Sequence, residues 1–267
     1  MTETAKTLVL KGNNYSFDDL CEIMRLLRGE NGCPWDKEQT HMSIRKNLIE
    51  ETYEVVEAID KNDSVLLREE LGDLLLQVVF HSQLSEEEKK FDINGVCNDI
   101  CQKLIIRHPH IFSHVEADTS AEVLKNWDEI KTKTKSQKNV TEKLNSIPPS
   151  LPSLMRAQKA GEKAAKVGFD FVTAADAFKK IQEESIEFDC SVKSGDAKKM
   201  KEEIGDLLFS VVNVARKYDI DAEEALYSAT DKFVLRFSKV EKIVTDSGKH
   251  IGDMPMTELD AIWDLQK

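Results

Sequence analysis

Acidic residues recur on one spacing in two separate stretches of the chain. The first, EETYEVVEAIDKNDSVLLREELGD at residues 50–73, carries Glu51, Glu54, Glu70 and Asp73. The second, EESIEFDCSVKSGDAKKMKEEIGD at residues 183–206, carries Glu184, Glu187, Glu203 and Asp206. One constant shift aligns Glu50 with Glu183, each acid of the first set with its counterpart in the second, and Gly72 with Gly205. The flanks agree as well, LGDLLLQVVF against IGDLLFSVVN. A pattern of this length, repeated in order, indicates an internal duplication. Carboxylates gathered this densely repel one another, and a fold tolerates that only where they reach solvent, protonate or bind cations. Two copies favour the cation over a solvated acidic face, and hard oxygen donors suit Mg²⁺ or Mn²⁺. A di-iron bundle requires Glu-x-x-His, where this chain has Asp73 and Asp206. An EF-hand loop requires a glycine at its sixth position, which DKNDSVLLREEL lacks.

Helices must carry these acids. At about 100° per residue, Leu48, Thr52, Val55, Val56 and Ile59 form one stripe, with Glu51 at its edge and Glu54 just beyond. On the following segment Leu67, Leu71, Leu74, Leu75 and Val78 form the stripe, with Glu70 at the edge and Asp73 beyond. A hairpin folded near Asn62 sets Glu54 opposite Glu70 and Glu51 opposite Asp73. A hairpin folded at Gly195 sets Glu187 opposite Glu203 and Glu184 opposite Asp206. Each quartet is thereby expected to converge on a site bordering the core. A glycine inside a helix costs about 1 kcal/mol relative to alanine. Gly72 and Gly205 therefore suggest either the close approach of a helix or ligand, or a packing contact.

Apolar residues recur at helical spacing throughout: residues 17–28, 43–60, 64–84, 93–106 and 121–131, then 153–166, 173–192, 196–217, 222–243 and 257–266. Ser16, Ser64 and Thr257 are the expected N-caps, and Gly29 and Gly195 the expected stops. No alternating segment of strand length stands out, so the expected fold class is all-α. The stretch IPPSLPS holds three of the six prolines and reads as a linker or strap. The expected organisation is an N-terminal repeat at 1–145, a proline-rich linker at 146–153 and a C-terminal repeat at 154–267.

Composition bounds the function. A chain of 267 residues, 40% hydrophobic, is long enough for one large domain or two small ones, each with its own core. A formal net charge of −12 disfavours stable binding to nucleic-acid phosphates. No stretch approaches the roughly 18 apolar residues of a membrane span, so no membrane association and a cytoplasmic location are expected. The five scattered cysteines include no Cys-x-x-Cys pair and read as reduced thiols. Cys97 and Cys101 share a helix face, where packing is favoured over metal. The histidines at 108, 110 and 114 have a proline among them and no carboxylate cluster nearby, so they read as loop-packing residues.

The two acidic stretches, EETYE with ELGD and EESIE with EIGD, resemble the signature of the MazG family of nucleoside triphosphate pyrophosphohydrolases. CPWDKEQTH, RHPHIF, NWDEIK, LPSLMRAQKAGEKAAKVGFDF and KFVLRFSKVE extend the resemblance over nearly the whole chain, toward the two-repeat form. Phe171 stands in GFDF where the family usually shows tryptophan. The resemblance implies an all-α homodimer that hydrolyses nucleoside triphosphates to the monophosphate and pyrophosphate with Mg²⁺, in nucleotide-pool housecleaning. It implies that Glu184, Glu187, Glu203 and Asp206 are catalytic metal ligands, with Glu51, Glu54, Glu70 and Asp73 their counterparts in the first repeat. It places nucleotide contacts on Lys180, Glu183, Lys199, Glu202, Lys232, Arg236 and Trp263. The same shift sets Asp99 opposite Lys232 and Lys103 opposite Arg236, so the second repeat is expected to be the main catalytic site and the first weak, structural or regulatory. The rival expectations are a non-catalytic acidic interaction module and a related pyrophosphatase restricted to dUTP or dCTP.

Overall fold

The computed structural model describes residues 2–113 and 139–266, together with 119, 120, 122, 123, 126, 127 and 130. The regular elements among the described residues are all helical. The chain divides into two compact units, residues 1–134 and 135–267. In the first unit the helices are α1 (Glu3–Leu10), α2 (Phe17–Arg28), α3 (Pro34–Glu38), α4 (Arg45–Asp60), α5 (Ser64–Glu87), α6 (Ile93–Arg107) and α7 (Pro109–Phe112). The second unit contributes α8 (Val140–Asn145), α9 (Ser153–Ala165), α10 (Ala174–Ser194), α11 (Ala197–Lys217) and α12 (Ala222–Asp246). A single 3₁₀ turn at Ile251–Asp253 and α13 (Met256–Asp264) complete it.

The boundary between the units falls earlier than the proline-rich stretch. Helix α8 precedes the prolines yet packs on α9, and Ile147 is buried, so 146–153 is a strap belonging to the second unit. The helical periodicity located the long helices to within a few residues. The expected helix at 121–131 lies largely outside the described residues. Short α1, α3, α7 and α8 carry too few turns to show a period, and the sequence reading did not anticipate them.

Local chemistry explains the helix ends. Ser16 caps α2 in a reciprocal box: its hydroxyl accepts from the Asp19 amide, and its own amide donates to the Asp19 carboxylate at 2.8 Å. At α5 the cap is Asp63 rather than Ser64, because the aspartate sits one residue earlier in extended backbone and accepts from the amides of Val65 and Leu66. Thr257 lies inside α13, which Pro255 precedes. Gly195 ends α10 at φ 70°, a left-handed conformation that favours glycine.

In the first unit Cys21 and Met24 of α2 pack with Ile44, with Val79, Phe80 and Leu84 of α5, and with Ile93 of α6. Arg28, almost wholly buried, holds the turn before α4: it pairs with Glu87 at 2.6 Å and donates to the carbonyls of Asp36 and Gln39. In the second unit α9 lies so close to α11 that a Cβ at Gly161 would come within 2.9 Å of Arg216 Nε. Arg216 and Lys217, at the end of α11, both pair with Asp170 ahead of α10, and Lys217 also donates to the Phe171 carbonyl at 2.7 Å. The α10–α11 hairpin is thus tied at both ends, by the Gly195 turn and by the Asp170 clamp.

Candidate active site

Helices α4 and α5 pack as one antiparallel hairpin and α10 and α11 as another, each presenting its acids from both strands of the hairpin. In the second unit Glu184, Glu187 and Glu203 each offer a carboxylate oxygen within 4.8 Å of the others. Their exposure is graded: Glu184 is only 4% exposed, Glu203 is half-buried and Glu187 is exposed. In the first unit Glu51, Glu70 and Asp73 form the matching group within the same limit. These are the metal-capable groups of three or more acids, histidines or cysteines among the described residues. They are hard-donor clusters that fit a divalent cation of the Mg²⁺ or Mn²⁺ kind.

The structure therefore brings together three of the four expected acids in each unit, and a different three. Asp206 falls outside the tight group of the second unit and Glu54 outside that of the first. Both remain in electrostatic reach. Glu203 is pushed above the ordinary carboxylate pKa by desolvation, then by Glu187, Glu184 and Asp206. Glu51 is raised by desolvation, then by its hydrogen bond to Glu54 and by Asp73 and Glu70. Glu70 is raised by desolvation, then by Glu54 and Asp73. Such mutual raising is the signature of crowded charge.

Lys180 reaches into the second cluster. Its ammonium lies 2.6 Å from Glu184 and 2.8 Å from Glu183, and those hydrogen bonds raise its pKa well above the lysine norm. The remaining expected nucleotide contacts lie on α11, α12 and α13. Lys199 is exposed in the first turn of α11, and Glu202 faces Lys198 at 3.9 Å. Lys232 is exposed and Arg236 half-buried on α12. Trp263 of α13 packs on Phe233 of α12, ring centroids 5.3 Å apart.

The apolar stripes expected to face a core lie largely open. Val56 and Ile59 of α4 and Leu71 and Leu75 of α5 are exposed, as are Ile186 of α10 and Leu208 of α11. On α12 Phe233, Val234 and Leu235 are each more than half exposed, with Val234 and Leu235 at 59%. A two-helix hairpin with one apolar face turned inward leaves the other bare. An added Cβ at Gly72 or Gly205 would meet nothing within 4 Å, so neither glycine makes a close approach within the chain. Cys97 and Cys101 are both exposed rather than packed. His108 Nδ1 donates to the Leu104 carbonyl one turn earlier and the ring lies edge-on to Trp127, a packing role; His114 lies outside the described residues. Sequence reasoning missed a second histidine pair, His41 and His81, whose Nδ1 atoms are 2.8 Å apart. They are far apart in sequence, with no spacing to betray them.

Tandem acidic hairpins in an all-helical chain define a class of proteins able to hold a metal ion on paired helices, and comparison with known proteins makes that specific. The family model for the MazG nucleotide pyrophosphohydrolase domain matches twice, at residues 39–112 and 173–240, so each acidic hairpin lies within a match. The chain belongs to the MazG family. It is 46% identical to the nucleoside triphosphate pyrophosphohydrolase of Escherichia coli, over 94% of this chain and 96% of that one. It is 41% identical to the nucleoside triphosphate pyrophosphohydrolase/pyrophosphatase MazG of Thermotoga maritima, over 94% and 95% respectively. The uncharacterized protein YabN of Bacillus subtilis is 44% identical, with 52% of its length matched.

Proposed function

We propose that the chain hydrolyses nucleoside triphosphates to the monophosphate and pyrophosphate, with the second unit as the main catalytic site. The observation that carries this reading is the convergence of Glu184, Glu187 and Glu203 within 4.8 Å, in a chain similar over nearly its whole length to enzymes named for that reaction. Glu184, Glu187 and Glu203 would hold Mg²⁺, or Mn²⁺ in its place, with Asp206 completing the set. A divalent cation held there would supply charge to neutralise the triphosphate and would lower the pKa of a water. One of the four carboxylates accepts the proton of the water that attacks the α-phosphorus. Lys180, Lys199, Lys232 and Arg236 supply cations to phosphate oxygens, Glu183 and Glu202 border the nucleotide, and Trp263 offers a face on which a base can stack.

In the first unit Glu51, Glu54, Glu70 and Asp73 would hold the same kind of cation. Asp99 and Lys103 stand where the second unit has Lys232 and Arg236, so that site is weak, structural or regulatory. The open apolar faces of α4, α5, α11 and α12 support a homodimer in which a second copy covers them. A cytoplasmic enzyme that binds neither membranes nor nucleic acid completes the reading; no described helix is long and apolar enough to cross a membrane, and the net charge is −12.

A panel of the eight common triphosphates with product identification tests the proposal. Pyrophosphate release across the panel is expected, and its loss in Glu203→Gln and Asp206→Asn with helicity intact by circular dichroism. Activity confined to dUTP or dCTP would make the enzyme a restricted relative. Unchanged turnover in both variants would defeat the assignment of the second acidic hairpin as the catalytic site, and no pyrophosphate release from any triphosphate would leave an acidic interaction module.

A further inference from the structure

The two carboxylate clusters are near copies, yet their electrostatic companions differ. In the second unit the most buried ligand candidate, Glu184, is held by Lys180 one turn earlier on α10, at 2.6 Å. The same ammonium also holds Glu183 at 2.8 Å. The residue one turn before Glu51 on α4 is Asn47, which occupies the matching helical position but carries no charge. Every influence resolved on Glu51 is desolvation or another acid. One cluster thus has a resident cation, and the other has none among the described residues.

We propose that Lys180 is the built-in counter-ion of the second cluster, which a divalent cation displaces and thereby releases toward the phosphate oxygens of the substrate. The inference rests on the metal reading given above. Glu184 is too buried to be left charged and alone, because the desolvation of an unpaired carboxylate is severe. An ammonium in contact with its Oε1 satisfies that requirement while no metal is bound. When a divalent cation arrives at the same carboxylate, two like-charged groups face each other across one ligand, and repulsion between them favours rotation of the lysine, the longer and more mobile of the two. Its four-carbon stem and three donors suit it to a phosphate as well as a carboxylate. Metal and triphosphate then assist each other: the metal liberates the cation that the phosphates use. Asn47 cannot perform this exchange, so the first cluster takes a divalent cation without competition and gains no released cation to hold a nucleotide.

The test uses the full chain and Mn²⁺ as the probe, followed by electron paramagnetic resonance, with the first cluster disabled by Glu70→Gln and Asp73→Asn. Replacing Lys180 by Asn in that background is expected to tighten Mn²⁺ binding about tenfold, the scale of one close charge interaction removed, while raising KM for the triphosphate. The reciprocal Asn47→Lys, in a chain disabled at Glu203 and Asp206, is expected to weaken Mn²⁺ binding at the first cluster by a similar factor. A lysine that merely braces α10 would leave Mn²⁺ affinity unchanged or weaken it in Lys180→Asn, and either result overturns the inference while the metal reading stands. Absence of Mn²⁺ binding in the parent protein overturns the metal reading, and the inference with it.

Discussion

Asp170 ties the open end of the catalytic hairpin, and removing its charge should loosen the second unit by a calculable amount. The Asp170 carboxylate pairs with Arg216 through both oxygens and with Lys217 at 3.1 Å. Its side chain is 21% exposed, against 11% for Arg216 and 18% for Lys217, so the group is mostly shielded from water. Breaking a fully buried pair costs about 3–5 kcal/mol, and the residual exposure of all three side chains scales that down. Asp170→Asn, which keeps the shape and one acceptor, is therefore expected to cost about 2 kcal/mol. For a unit the size of residues 135–267 that corresponds to a fall in Tm of about 6–8 °C. The pH dependence carries a sign. Arg216 and Lys217 hold the Asp170 pKa well below the usual carboxylate value, so the stabilisation is present above the unfolded value of 3.8 and is lost as pH falls through the folded one. Calorimetry of the full chain should show the deficit of the variant at pH 7 and a closing gap as pH drops below about 4. A Tm within 1 °C of wild type at neutral pH, or a gap that persists undiminished in acid, would refute the clamp.

Other outcomes follow from the same geometry. Mn²⁺ at a hundred times its Kd should stabilise the chain by about 2.7 kcal/mol, read as a rise in Tm that a chelator reverses and that the Glu203→Gln and Glu70→Gln double variant loses. Gly195→Ala, which forces a Cβ into φ 70°, should destabilise the second unit by about 1 kcal/mol in urea titrations. Met24→Ala, at a side chain 1% exposed in the first-unit core, should cost about 3 kcal/mol and leave pyrophosphate release per folded molecule unchanged. Leu235→Glu on the open face of α12 should shift sedimentation toward the monomer if a second copy covers that face.

The long helices were legible because each carries an apolar stripe, buried or open, and a stripe imposes a period that composition cannot hide. The duplication was legible too, since Glu51, Glu70 and Asp73 repeat their spacing in Glu184, Glu203 and Asp206. Short α3 and α7, and the contact of His41 with His81 across the first unit, leave no periodic trace. The prolines of 147–153 suggested a break between units, and Ile147 instead buries itself against the second. Proline forbids helix at that point but says nothing of what the strap packs upon.

The acidic quartets divide the same way. Sequence alone determined that two hairpins would each present Glu and Asp from facing helices, because helical geometry leaves little choice about which positions share a face. Which three of each four approach closely was decided only in three dimensions, where the helices' crossing and each side chain's rotamer set separations that no spacing encodes. The same holds for Lys180. Its place one turn before Glu184 was written in the chain, but its pairing with that buried carboxylate came from the burial itself, which makes an unpaired charge too costly to leave.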